Sequence, residues 1–159
     1  MLLARRLLEN NIPFVEVSHG NYDTHANNFN FHIEHLDEFD AYFSLLIADL
    51  ADRGMLQTTL VIVMSEFGRT PAINPYFGRD HWGQSWSMAM AGCGISAGAV
   101  FGKTNAKGTE VVEGQVDHRQ LFHTYLQAVG VDSTSEFEIN GRTYPIADPA
   151  AGPIKELLT

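Results

Sequence analysis

Hydrophobic side chains recur along this chain with two different periods. Leu2, Leu3, Leu7 and Leu8 stand about one helical turn apart with Arg5, Arg6 and Glu9 between them, which predicts an amphipathic helix ending at Asn10-Asn11. Ile12 to Val17 is short and rich in β-branched and aromatic residues, which predicts a strand running into the polar loop Ser18 to His25. From Ile33 to Asp52 the apolar positions Leu36, Phe39, Phe43, Leu46, Ile47 and Leu50 recur at three and four, marking the longest helix, with Gly54 as its stop. Thr58 to Met64 is a continuous β-branched run without alternation, the pattern of a strand covered on both faces.

Beyond it, Ser87 to Ala91 and Glu110 to Val112 read as short strands, and Gln115 to Val129 reads as a helix stopped by Gly130. Asn140-Gly141, between Phe137 and Tyr144, signals a hairpin. The order strand, helix, buried strand predicts an α/β fold with a mainly parallel sheet and flanking helices, in which Ile12 to Val17 and Thr58 to Met64 are neighbours or near-neighbours. In such sheets ligands bind beyond the C-terminal strand ends, and both of these strands deliver polar residues there.

Composition narrows the function. The 159 residues are 45% hydrophobic, enough for one sizeable core, so we expect one domain or one large piece of one. The 19 acidic and 10 basic residues leave a net charge of -9, which argues against nucleic acid and anionic membrane surfaces as partners. Cys93 is the single cysteine, which excludes an intrachain disulfide and a cysteine-built zinc site; between Gly92 and Gly94 it reads as a small buried filler. With no signal peptide in this chain and no long apolar run, it reads as soluble, its compartment undetermined.

Three loop segments carry the candidate chemistry: Asp23-Thr24-His25, Ser65-Glu66-Phe67-Gly68-Arg69-Thr70 and Gly78-Arg79-Asp80-His81-Trp82. Carboxylates and neutral imidazoles on loops held by rigid strands are the ligands a divalent ion needs, so Asp23, His25, Glu66, Asp80 and His81 form the candidate metal set. Arg69 and Arg79 are the candidate binders of an anionic substrate, because a guanidinium clamps such a group with two hydrogen bonds. Other readings stay open on spacing alone. Asp23 also suits a turn cap, His25 a surface position, Glu66 an ion pair with Arg69 or Arg79, and Asp80-His81-Trp82 a packed aromatic turn. His19, His32, His35, His118 and His123 read as helix-surface or satisfied histidines.

The order of these motifs resembles the DUF1501 family, which is grouped with alkaline phosphatases, sulfatases and cofactor-independent phosphoglycerate mutases. The resemblance runs from about Arg5 to about Gly130 and rests on Tyr-Asp-Thr-His, Ser-Glu-Phe-Gly-Arg-Thr-Pro, Gly-Arg-Asp-His-Trp and Ala-Gly-Cys-Gly-Ile. It implies an alkaline phosphatase-like fold, incomplete here, with residues 1–159 as its C-terminal part. In that wider group aspartates and histidines bind two ions, commonly zinc, manganese or calcium, beside a serine, threonine or formylglycine nucleophile. Carried over, Asp23 and His25 resemble the pair on one ion, Glu66 a strand-end aspartate and His81 the last histidine ligand, with Asp80 a further candidate. Phe67 stands where a histidine usually follows the strand-end carboxylate.

The expected function is therefore a metal-dependent hydrolase of phosphate or sulfate esters, or the C-terminal half of one, acting on a small anionic ester. The alternative is a noncatalytic metal-binding or scaffold protein. Thr24, Ser65 and Thr70 are the hydroxyls adjacent to the proposed ligands, but Ser65 and Thr70 equally suit the capping of backbone groups, and the nucleophile stays unassigned. An incomplete sheet would leave an uncovered edge, through which the chain would self-associate.

Overall fold

The computed structural model describes residues 1–159. In chain order its elements are α1 (Leu2–Glu9), α2 (Asn28–Asp52), β1 (Leu60–Val63), β2 (Gly68–Arg69), β3 (His81–Trp82), β4 (Ala89–Gly92), β5 (Lys103–Thr104), β6 (Val111–Glu113), α3 (His118–Ala128), β7 (Glu136–Ile139) and β8 (Arg142–Pro145), with a closing 3-10 turn at Lys155–Leu157. Two compact units form, one from Met1–Met55 with Phe67–Trp86 and one from Leu56–Glu66 with Ser87–Thr159.

The expected mainly parallel, alkaline phosphatase-like sheet is not what the chain builds. Its strands form four two-stranded sheets, β1-β4, β2-β3, β5-β6 and β7-β8, every one antiparallel. The run at Thr58 to Met64 does contain a strand, but Leu60 pairs with Gly92 and Val63 with Ala89 in antiparallel register, and all four of its residues are only half-buried. Continuous apolar character is usual in parallel strands covered on both faces, but here it accompanies a half-buried antiparallel strand, so by itself it fixes neither cover nor direction. Ile12 to Val17 is not a strand at all. Pro13 has no N–H for a ladder, and the apolar side chains of the segment face water, Phe14 most of all.

In the first unit α1 and α2 are joined by charge, with Ala4 the buried residue of α1. The Arg5 guanidinium reaches Glu9 at 2.6 Å and Asp49 at 2.9 Å, so one side chain spans both helices. Leu50, fully buried, anchors α2 near its C-terminal end, and Gly54 at φ 67 ends the helix as its position predicts. The helix begins at Asn28, earlier than the apolar periodicity from Ile33 implies. Its start is fixed by tertiary bonds: the amides of Asn27 and Asn28 donate to the carbonyls of Tyr76 and Phe77 at 3.1 and 3.0 Å.

The second unit is organised round α3. Asp117 caps its first turn by accepting from the Arg119 and Gln120 amides, while the Gln120 side chain accepts from the Asp117 amide, completing a capping box. The buried face carries His123 and Thr124, both of them satisfied. His123 bonds Ser133 Oγ at 2.8 Å and the Asp148 carbonyl at 2.9 Å, while the Thr124 hydroxyl donates to the Gln120 carbonyl at 2.7 Å and accepts from the Ile154 amide at 2.9 Å. The β7-β8 hairpin turns at Asn140 (φ 51) and Gly141 (φ 73), the left-handed pair that a two-residue turn requires. Cys93 is free and half-buried, and burial pushes its thiol up, the opposite of an activated nucleophile. No helix is long and apolar enough to cross a membrane.

Candidate metal centre

The segment Asp23 to Asn28 is pinned against residues 76–79 of the same unit. Ala26 and Phe77 form an antiparallel bridge, and the Arg79 amide donates to the Thr24 carbonyl at 3.1 Å. Gly78 makes this approach possible, since a Cβ there would lie 2.0 Å from the carbonyl carbon and oxygen of His25. Opposite, the β2-β3 hairpin sets Arg69 directly across from His81. Two short backbone pairings thus bring Asp23 and His25 to His81 and Arg69, across more than forty residues of intervening chain that includes α2.

Everything converges on one oxygen. Asp23 Oδ1 lies 2.8 Å from Arg69 Nη2, 2.9 Å from His81 Nε2 and 3.0 Å from His25 Nε2. These contacts hold the Asp23 carboxyl down to about 2, chiefly through the hydrogen bond from His81, then that from Arg69, then the charge of His25. Asp23 is therefore ionised throughout the physiological range. One ligand atom each from Asp23, His25 and His81 falls within 4.8 Å of the others.

Asp80 stands on the far side of the His25 ring. Its Oδ1 lies 2.8 Å from His25 Nδ1, and its carboxyl is pulled below the ordinary range first by His25 and then by Asn74. A neutral imidazole has one N–H, and here both ring nitrogens face carboxylate oxygens. With the proton on Nδ1 toward Asp80, the Nε2 lone pair faces Asp23, and only a doubly protonated ring or a cation between them relieves two acceptors at 3.0 Å. A carboxylate behind a histidine whose other nitrogen points at a second ligand is the arrangement that orients metal-binding imidazoles. Ligands about 2.0 to 2.2 Å from one tetrahedral ion lie about 3.3 to 3.6 Å from each other, so the 2.9 and 3.0 Å contacts at Asp23 Oδ1 need to open by only a few tenths of an ångström to admit one. The residues present fit a divalent ion.

The remaining sequence candidates divide. Arg69 belongs to the cluster: besides Asp23 it donates from Nη1 to the Arg79 carbonyl at 3.2 Å, and its guanidinium lies over the Phe67 ring. Phe67 in turn packs on His81, ring centroids 4.4 Å apart, so the residue in place of a histidine buttresses one. Arg79 Nη1 serves the fold, donating to the carbonyls of Thr70 and Pro71 at 2.6 and 2.7 Å. Glu66 lies in the second unit, just beyond β1, and is not one of the grouped ligands.

Asn74 went unnoticed in the sequence. Its Nδ2 donates to the His25 carbonyl at 2.9 Å and to Asp80 Oδ1 at 3.1 Å, while its Oδ1 accepts from the amides of Tyr76 and Gly78 at 3.0 and 2.9 Å. One amide side chain thus fixes the turn, the His25 backbone and the carboxylate behind the His25 ring. The Asn74-Pro75 pair signals a turn in the sequence, but nothing there says which long-range groups the amide meets.

A family model described as "Protein of unknown function (DUF1501)" matches residues 1–158. No curated protein and no solved structure matches the chain.

Proposed function

The chain belongs to the DUF1501 family, and we propose that its first unit binds a divalent ion through Asp23, His25 and His81 and uses it to hydrolyse phosphate or sulfate esters. The observation that carries this reading is the convergence of two imidazole nitrogens on Asp23 Oδ1, with Asp80 holding one ring from behind. Three protein ligands leave positions open on zinc or manganese, which is the composition of a catalytic site and not of a closed structural one. When bound, the ion supplies Lewis-acid polarisation of a nonbridging ester oxygen. Kinship with phosphatases and sulfatases enters here through residue chemistry alone, since the sheets are antiparallel.

The chain's own groups then have distinct tasks. Asp80 keeps the His25 proton on Nδ1, so that Nε2 stays a lone-pair donor. Arg69, at the rim beside Asp23, offers the guanidinium that an anionic ester requires, while Arg79 stays engaged with the Thr70 and Pro71 carbonyls. Asp23, His25 and His81 are 67%, 49% and 53% exposed at the side chain, so ion and substrate enter from solvent without rearrangement of the fold.

One observation favours the noncatalytic alternative. The hydroxyls beside the cluster are already engaged, Thr24 donating to Asn28 Oδ1 at 2.6 Å and Thr70 donating to the Ala72 carbonyl at 2.9 Å. The two readings separate in one experiment. Chelator-stripped protein is reloaded with Zn²⁺ or Mn²⁺ and assayed on p-nitrophenyl phosphate and sulfate, with His25→Ala/His81→Ala as control. Metal-dependent turnover that the double variant loses supports hydrolysis, metal binding without turnover supports the scaffold, and a double variant that binds as many ions per chain as wild type refutes both.

A further inference from the structure

A second group of donors lies in the same unit, apart from the residues just described. His19 comes from the loop ahead of Asp23, while His35 and Glu38 lie three apart on α2 and so share one face. One ligand atom from each falls within 4.8 Å of the others. By spacing along the chain His19 and His35 read as helix-surface or satisfied histidines; the helical i, i+3 spacing of His35 and Glu38 is the signal the sequence offers.

The hydrogen bonds around this group prepare it to bind. His35 Nε2 lies 2.7 Å from the Gly20 carbonyl, an acceptor only, so that nitrogen carries the proton and Nδ1 keeps its lone pair. His19 Nδ1 lies 2.8 Å from the Tyr22 hydroxyl; with its proton directed there, Nε2 is the free lone pair. Each ring is thus fixed through one nitrogen, as metal-ligating histidines are. The two rings stack with centroids 4.4 Å apart. Glu38 supplies the charge: after burial, it is what pushes the Tyr22 phenol up.

We propose that His19, His35 and Glu38 form a second divalent-metal site, which clips the loop carrying Asp23 to α2. Two imidazoles and one carboxylate suit a borderline ion such as zinc better than calcium or magnesium, which take oxygen ligands. His35 and Glu38 are held by the helix, whereas His19 lies in irregular chain, so the ion orders the loop against a fixed edge. The site needs no catalysis at the first centre and stands independently of it.

The test uses the full chain without a histidine tag, dialysed to equilibrium against Zn²⁺, with bound metal counted per chain. Wild type should hold two zinc ions, His25→Ala/His81→Ala one, His35→Ala one, and the triple variant none. Glu38→Gln, at an exposed helix position, guards against misfolding of the histidine variants and should weaken that zinc by at least the roughly tenfold that losing even an outer hydrogen bond to a ligand costs. One zinc in wild type that survives His25→Ala/His81→Ala but not His35→Ala would remove the first site and keep this one. The proposal is overturned if His35→Ala and Glu38→Gln both retain wild-type stoichiometry and affinity, or if His25→Ala/His81→Ala binds no zinc.

Discussion

Replacing Asp80 by alanine separates the two roles a carboxylate beside a metal can have. Asp80 Oδ1 accepts from Asn74 Nδ2 at 3.1 Å and faces His25 Nδ1 at 2.8 Å, and it is absent from the group whose ligand atoms converge. Its removal frees the His25 ring to rotate and lets Nε2 compete for the ring proton, while Asp23, His25 and His81 keep their donors. Outer hydrogen bonds of this kind are worth about 10- to 100-fold in metal affinity. The Asp80 side chain is 53% exposed, so water replaces part of what is lost, and the expected weakening lies near the lower end, about tenfold. Asp80→Asn keeps an acceptor oxygen and loses the charge, so its effect should fall between wild type and alanine. Calorimetric titration with Zn²⁺ at neutral pH measures this, with His25→Ala as the benchmark for a lost ligand and circular dichroism as the check on folding. Wild-type affinity in Asp80→Ala would refute the orienting role, and a loss as large as that of His25→Ala would make Asp80 a ligand itself.

Other outcomes follow from the same geometry. Thr124→Val keeps shape but leaves the buried Ile154 amide without its acceptor, which should cost about 1 to 3 kcal/mol in urea unfolding; a loss under about 0.5 kcal/mol would refute the assignment. Asp117 is held below its ordinary value of 3.8, first by Arg119 and then by the Gln120 amide, so its stabilisation is present above that pH and fades as pH falls through the lower folded value. The stability gap between wild type and Asp117→Asn should therefore narrow on acidification below 3.8, and a gap independent of pH would contradict the cap's charge. Gly78→Ala should abolish zinc binding at the first site, since its Cβ would meet the His25 backbone at 2.0 Å, whereas Gly83→Ala, with nothing within 4 Å, should leave it unchanged. The two-stranded β1-β4 sheet leaves its outer edges without a further strand, so light scattering should show self-association; a stable monomer at high concentration would contradict it.

Helices and the Asn-Gly hairpin were legible in the sequence because they are local. The leucines of α1, the periodic face of α2, the stop at Gly54 and the turn at Asn140-Gly141 all stand where pattern and turn chemistry predict them. Strand direction was not legible: an apolar run such as Leu60–Val63 reads the same in either sense, and in Ile12 to Val17 the missing N–H of Pro13 outweighs the β-branched composition. Among the candidate site residues, Asp23, His25, His81, Asp80 and Arg69 meet because the motifs that hold them pair through their backbones. Glu66 was grouped with them on the assumption that both strand ends open on one sheet edge, and that sheet does not form. Asn74 and the pair His35 and Glu38 were missed for opposite reasons. The first acts only through long-range bonds, while the second carries a helical spacing that was visible and unused.

The central claim, that Asp23, His25 and His81 hold one ion, is tested most directly by diffraction from crystals of the full chain grown with Zn²⁺, recorded at the zinc absorption edge. The account predicts an anomalous peak about 2.0 to 2.2 Å from Asp23 Oδ1, His25 Nε2 and His81 Nε2, with Asp80 still bonded to His25 Nδ1 behind the ring. Zinc bound elsewhere, with no peak among these three residues and Asp23 still accepting from both imidazoles, would contradict it.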